Sequence, residues 1–414
     1  MGKSKKKELV VNKRPYRIQI LVSAFHGLWL LVFTFFWLNQ PFTYGDEMTL
    51  IQLTSGIKHY LFPMLVQVSD LNQCLEKPDK KDFLFVNVSY DRELIEKKKD
   101  GLPVGKTDIT DRKKLARFFN ILNQKPDNHK FVLCDIFFKD ISPDDTILLN
   151  EMEKMKNLLI PYHKRSGQWE MPIFDVNKGM ADYITGDANG TFLKFGLTEG
   201  DHKTIPLIMY EKLNNARFEK KAGLFFSNGK LSLNSIVLDF RIQPRDLEKG
   251  GDYNPFYINL GEMLILPDKA VLDLVKNRIV VIGDYEDRDI HETVIGDMPG
   301  SLLLLNVYLA LVKGEHQISF LFVIFLFAAY TFISYQIFFG NRIEEREWLV
   351  RIIQSVIKGK LITKLANYLL IMGAFSVFMY FFFNIHINIM VIAFYLTFLE
   401  RTVKIFKQKQ GIQK

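Results

Sequence analysis

The sequence predicts an extracytoplasmic α/β domain with a mixed or partly parallel sheet, carried on about four transmembrane α-helices. Three patterns predict it. Uncharged apolar runs long enough to cross a bilayer sit near both ends of the 414-residue chain. Strand-length apolar runs alternate with helical patterns through the middle, as an α/β sheet requires. Basic residues gather beside the apolar runs: residues 1–17 carry about +6, 342–364 about +3 and 400–414 about +4, against a net +8, so the middle is mildly acidic.

Taken in order, residues 1–17 form a basic N-terminus and 18–39, IQILVSAFHGLWLLVFTFFWLN, form the first span. QPFTYG follows rather than a small-x-small cleavage site, so an uncleaved anchor is expected. Residues 41–316 form the domain. Within it 82–89 (DFLFVNVS) reads as a strand, 89–101 as a solvated helix face, 111–122 as a helix, and 130–138 as a second strand. Residues 144–159 read as a helix opened by Asp144, and 171–174 as a third short strand. Asn189-Gly190 and Asn228-Gly229 mark tight hairpin turns, because glycine tolerates positive φ. Residues 276–283 (KNRIVVIG) read as a strand and 300–313 as a helix running toward the second span, 318–339.

Residues 341–362 space Ile343, Trp348, Leu349, Ile352, Ile353 and Val356 at helical intervals among charges, either an amphipathic surface helix or a plain cytoplasmic connection. The uncharged stretch 365–399 is too long for one span; Asn384, His386 and Asn388 divide it into spans at 365–383 and 387–402, followed by a basic tail, 403–414. With four spans the three basic segments fall on one side. The positive-inside rule then makes both termini cytoplasmic and places 41–316 outside.

The charge pattern argues against nucleic-acid binding, since the basic residues flank apolar helices and no basic, aromatic-interleaved face occurs in the middle. The two cysteines, Cys74 and Cys134, cannot make a disulfide framework or a zinc site alone; Cys134, in FVLCDIFF, reads as an inert core thiol, with a Cys74–Cys134 bridge as the alternative. No Walker lysine loop, G-x-S-x-G elbow or H-E-x-x-H is present, so no catalytic residue, metal or cofactor is assigned. The intramembrane polar residues His26, Ser334, Asn367 and Ser376 are few and uncharged, which weakens a transporter reading.

Four residues stand out as ligand-binding candidates: Asp135, Asp284, Asp289 and His291. Asp284, Asp289 and His291 lie in GDYEDRDIHET, directly after a strand, where ligands bind in α/β sheets. Their spacing does not match an EF-hand loop, and a hydrogen-bonded surface loop is the competing reading. Asp135 follows Cys134 inside the apolar strand 130–138, as a partly buried carboxylate, and needs donors, either from a ligand contact or as a helix cap.

FVLCDIFF, ITGDANGTFLKF and above all NRIVVIGDYEDRDIHETVIGDMPGSLLLLNVYLALVKG resemble the CHASE2 sensory domain. The matching positions are Ile279 to Gly283, Asp289, His291, Thr293, Met298, Pro299, Gly300 and Asn306. The resemblance covers most of 41–316 but is specific mainly in 276–314. It implies a multi-pass protein of a bacterial inner membrane with a periplasmic sensory domain. Such domains usually precede a cytoplasmic output module. Only a short basic tail follows here, so a non-enzymatic sensor or scaffold is expected, with a protein partner supplying the output. The lipid bilayer is the other partner, and self-association into a homo-oligomer is open. The alternative is a structural or accessory subunit of a multiprotein envelope complex, with the domain as its docking surface.

Overall fold

A computed structural model describes residues 16–39, 45–57, 77–99, 102–185, 191–339, 360–383 and 385–409. They fold as two compact units, one built on the apolar helices and one on the middle of the chain. The principal helices are α1 (Tyr16–Leu38), α2 (Arg112–Asn123), α3 (Asp145–Met152), α4 (Ile205–Leu213), α5 (Leu260–Met263), α6 (Asp268–Val275), α7 (Gly300–Val312), α8 (Phe320–Phe339), α9 (Lys360–Phe383) and α10 (Ile389–Lys409). The principal strands are β1 (Phe83–Asn87), β2 (Arg92–Lys99), β3 (Leu102–Thr110), β4 (Phe131–Cys134), β5 (Leu158–Arg165), β6 (Gln168–Glu170), β7 (Lys178–Met180), β8 (Phe192–Gly196), β9 (Tyr257–Asn259), β10 (Ile279–Gly283), β11 (Ile290–Thr293) and β12 (Gly296–Pro299).

In the middle unit five strands run parallel in the order β9-β1-β10-β4-β5, with β6 antiparallel and β7 parallel to β5. Their side chains sort by pleat into two cores. Phe83, Phe85, Ile279, Val281, Phe131 and Leu133 enter one; Leu84, Val86, Val280, Ile282, Val132 and Cys134 enter the other. Strands buried on both faces read as continuous apolar runs, which is why FLFVN and IVVIG show no alternation in sequence. Helices α4 and α7 fill the first core, and α2, α3, α5 and α6 the second. The helices following β1 and β4 thus lie on one face and the helix following β10 on the other. That reversal makes the carboxyl end of β10 a topological switch point.

Four expected elements differ, the first being the strand expected at 130–138, which ends at Cys134. Residues 89–101 are not a helix face: β2 pairs antiparallel with β3, burying Ile95 and Ile109 and leaving Leu94 exposed. The helix expected at 144–159 ends at Met152, because Leu158 and Leu159 open β5 beside Val132 and Leu133. Residues 171–174 form no strand; the Ile173 amide donates to the Phe138 carbonyl at 2.8 Å instead. Cys134 is a free, buried thiol, and burial pushes its pKa up; Cys74 lies outside the described residues.

In the other unit, three helices are long and apolar enough to cross a membrane: Tyr16–Leu38, Phe320–Phe339 and Lys364–Phe383. The expected fourth span at 387–402 is not matched. Charges begin at Glu400, so α10 offers only about 11 uncharged residues, roughly 16 Å of helix, against a hydrocarbon core of about 30 Å. Among the described residues three helices, not four, meet that length, so the parity argument for two cytoplasmic termini lacks a fourth spanning helix. Residues 341–359 of the expected amphipathic loop lie outside the described residues; 360–362 begin α9.

The apolar helices pack through small and polar residues. A Cβ on Gly27 would lie 2.6 Å from Thr331 Oγ1 and 2.9 Å from its amide, so glycine lets α1 and α8 approach there. Thr34 and Tyr330 share a hydrogen bond at 2.8 Å across the same pair. Between α9 and α10, Glu400 accepts from Lys364 at 2.5 Å and from Tyr368 at 3.1 Å. Residues 385–388 are non-helical and buried, and the Ile387 amide and carbonyl both bond to Ser376 Oγ on α9, at 3.1 and 3.3 Å.

Candidate functional site

The parallel strands end level with one another, since Asn87 is in register with both Asn259 and Gly283, and Ile282 with Cys134. The residues that follow therefore collect along one edge. Asp135 is fixed there by its own amide, which donates to the Ile282 carbonyl at 2.8 Å. Gly283 closes β10. A Cβ on it would lie 2.5 Å from Ser301 Oγ and 2.6 Å from Ser301 Cβ, so only glycine admits the first turn of α7 at this point.

The chain then turns through 284–287 into the hairpin β11–β12, which pairs His291 with Met298 and delivers Gly300 to the start of α7. The Gly300 amide donates to the Asp289 carbonyl at 2.8 Å, and a side chain at Gly300 would run into the Asp289 carboxylate. Asp289 thus lies over the N-terminal turn of a 13-residue helix, whose dipole favours negative charge.

Asp135, Asp289 and His291 come together. Burial raises the pKa of Asp135 well above the usual carboxylate range, and the neighbouring Asp289 charge and a hydrogen bond to it raise it further. Two carboxyls this close hold one proton between them. Asp135, whose carboxyl is raised, is the member that keeps its proton and donates to Asp289. His291 Nε2 lies 2.9 Å from Asp289 Oδ1, and His291 Nδ1 lies 2.7 Å from the Tyr183 hydroxyl. A carboxylate only accepts, so Nε2–H donates to Asp289, and in the neutral imidazole Nδ1 accepts from Tyr183. Burial, then the Asp289 charge, raises the Tyr183 phenol. The result is a hydrogen-bonded line, Tyr183–His291–Asp289–Asp135, that stores one proton and offers carboxyl oxygens at a switch point.

Asp284 lies outside this line. It accepts from Ser89 Oγ at 2.7 Å, from the Glu286 and Asp287 amides at 3.1 and 3.3 Å, and from Arg92. Burial pushes its carboxyl up, but these donors more than offset that and hold it below the ordinary value. Asn87 continues the network by donating to Asn259 Oδ1 at 3.0 Å, and Arg288 pairs with Asp108 of β3. Asp284 therefore organises the turn and the base of the β2–β3 hairpin. Among the described residues, no group of three or more His, Cys, Asp or Glu is arranged to hold a metal ion.

Sequence reasoning missed Tyr183, Ser301 and the Asn87–Ser89–Arg92 network. Gly283 and Gly300 carried a signal, in IVVIG and MPG, for close approach of α7; nothing in DYITG marks Tyr183 as a partner of a histidine 108 residues later. No family model, no curated protein and no solved structure matches the chain.

Proposed function

We propose that this chain is a non-enzymatic, membrane-anchored sensor whose α/β unit, a CHASE2-like domain, binds a small ligand or partner at the Asp135–Asp289–His291 edge. The observation that carries the reading is the carboxyl pair itself. Two adjacent carboxyls, one of them held protonated by burial, oppose folding, and such perturbed groups concentrate at sites with a task. The line contains no nucleophile with an adjacent base and no oxyanion-type pair of donors, so binding accounts for it better than catalysis.

In this proposal the protein sits in a bacterial inner membrane with residues 41–316 periplasmic and both termini cytoplasmic. Four crossings are then needed, and a broken fourth crossing supplies them. Ser376, well inside α9, is level with Ile387, and Lys364 is level with Glu400. The chain from 385 to 400 thus runs beside most of α9, first non-helical and then helical. Backbone outside a helix is tolerated at membrane depth where protein satisfies it, as Ser376 does for Ile387. Output passes to a protein partner, and self-association is compatible with this arrangement.

The test is purification of the full chain from its native membrane in mild detergent, in parallel with Asp289→Ala, with mass spectrometry of co-eluting small molecules and proteins. The sensor reading expects a species retained by the native chain and lost from the variant at equal yield and melting temperature. Retention of the same stable protein assembly by both chains would overturn it in favour of a structural subunit of an envelope complex.

A further inference from the structure

The apolar helices contain an ionisable group with both of its ring nitrogens engaged. His26, on α1, lies 2.6 Å through Nδ1 from Ser334 Oγ on α8 and 2.8 Å through Nε2 from the Tyr395 hydroxyl on α10. Its ring stacks on Tyr395 at 5.8 Å and meets Phe338 edge-on at 5.1 Å; Trp29, one turn along, packs on Tyr395 at 5.1 Å. An imidazole placed among three apolar helices and joined to two of its neighbours is a functional candidate by default, because burying it costs more than an apolar residue would.

Proton bookkeeping fixes its state. Ser334 Oγ also lies 2.6 Å from the Tyr330 carbonyl, which only accepts, so the single hydroxyl proton of Ser334 goes there. Toward His26, Ser334 must then accept, which puts a proton on Nδ1. In the neutral ring Nε2 is bare and accepts from Tyr395. The line Tyr395–His26–Ser334–Tyr330 carbonyl is saturated in one direction only. A second proton on His26 would face the Tyr395 hydroxyl donor to donor. Tyr395 would have to turn and accept, and among the described residues its hydroxyl has no other hydrogen-bond partner to receive its proton. The groups facing His26 cannot offset the new charge: α8 presents Ser334 and Phe338, with the Tyr330 and Tyr335 phenols on the same helix, and α10 presents Tyr395. The acid on α10, Glu400, is already paired with Lys364 and Lys404.

We infer that His26 is a proton-operated latch: neutral, in its Nδ1–H form, it holds α10 against α1 and α8, and protonation releases α10 from α1. The inference is independent of the ligand site, since it rests only on residues of the helical unit.

Solid-state NMR of the full chain, labelled with ¹⁵N-histidine in phosphatidylethanolamine–phosphatidylglycerol bilayers, tests it. The resonances lost in His26→Gln identify His26 among the 8 histidines. Near neutral pH the expected result is a protonated Nδ1 and a bare Nε2. Spin labels at Leu21→Cys and Phe398→Cys, both exposed positions, in a background with the two native cysteines replaced, should move apart by a few ångström as Nε2 gains its proton on acidification. Tyr395→Phe, which removes the hydroxyl and keeps the ring, should give the longer separation already at neutral pH and no further change. An Nε2–H or doubly protonated ring at neutral pH would overturn the latch. So would a separation that stays constant while His26 titrates, or a His26 that takes up no second proton between pH 4 and pH 8.

Discussion

Asp135 shows how a single side chain makes the domain's stability depend on pH. Its folded pKa lies above its unfolded one, first through burial and then through the Asp289 charge. A carboxyl shifted in this direction binds its proton more tightly in the folded state. Its contribution to stability is full below the unfolded value near 4 and is lost as pH rises through the raised folded value. Asp135→Asn keeps the hydrogen bond to Asp289 and removes the titration. The variant should therefore melt at a higher temperature than the native chain above neutral pH and at nearly the same temperature near pH 4. Melting curves across pH 4 to 9 check this, and an advantage of the variant that grows on acidification would contradict the shared proton. Asp289 and His291 were legible as candidates because they follow the end of an apolar strand, and Asp135 because it interrupts one. Asp284 looked equivalent in sequence. What separates it is Ser89, Arg92 and two amides of its own turn, none of which sequence spacing places beside it.

Among the elements, α7 has the firmest anchor. Asn306, fully buried on that helix, accepts from the Arg241 and Ile242 amides at 2.8 and 3.1 Å and donates to the Ile242 and Leu302 carbonyls at 2.8 and 3.0 Å. Asn306→Leu keeps the branched side-chain skeleton and strips three backbone groups of 241–242 of their partner. The expected loss is about 2–4 kcal/mol, read as a lower urea midpoint with an unchanged slope. Asp284→Ala acts on a different element. It should raise hydrogen exchange at the 286 and 287 amides and through β2–β3, while Asp135, Asp289 and His291 keep their arrangement. The elements that sequence placed well, β1, α2, β10 and α7, share one property: burial of either a continuous run or one clear helical face. The hairpin was missed because RELIEKKK buries only Ile95 among its first residues, so charge dominates its pattern. Its strand character comes from pairing with 102–110, a partner that the segment itself does not encode. The helix expected to continue to Leu159 failed for a related reason, since apolar residues at 158–160 fit a buried strand and a buried helix equally well.

For the whole molecule, the unsettled quantity is the number of crossings, and the physics of α10 decides which experiment separates three from four. A helix of about 11 uncharged residues does not reach across about 30 Å of hydrocarbon. Ile387, beside Ser376, already lies seven residues back from the end of α9 at Phe383, roughly 10 Å at about 1.5 Å per residue, and with roughly 16 Å of helix the total approaches the full thickness. The sum works only if the backbone of 385–388 is satisfied inside the unit, and Ser376 supplies both bonds to Ile387 while Asn388 accepts from the Val391 amide at 3.1 Å. Sequence correctly located the break, through Asn384, His386 and Asn388, but its polar residues suggested a turn at the surface. In the structure His386 and Asn388 are buried, and His386 stacks on Tyr380 at 4.4 Å. If the broken segment completes a crossing, cysteines introduced at Ser4 and Lys409 will both resist a membrane-impermeant maleimide in intact cells and react after permeabilisation, while one at Gln168 reacts from outside. Labelling of Lys409→Cys from outside, with Ser4→Cys protected, would mean three crossings and a tail on the same side as the α/β unit. Ser376→Ala adds a check at the break: it deletes the hydroxyl and with it both bonds to Ile387, so a completed crossing should become less resistant to detergent and heat. A surface turn exposed to water would lose nothing measurable, because solvent replaces the hydroxyl there.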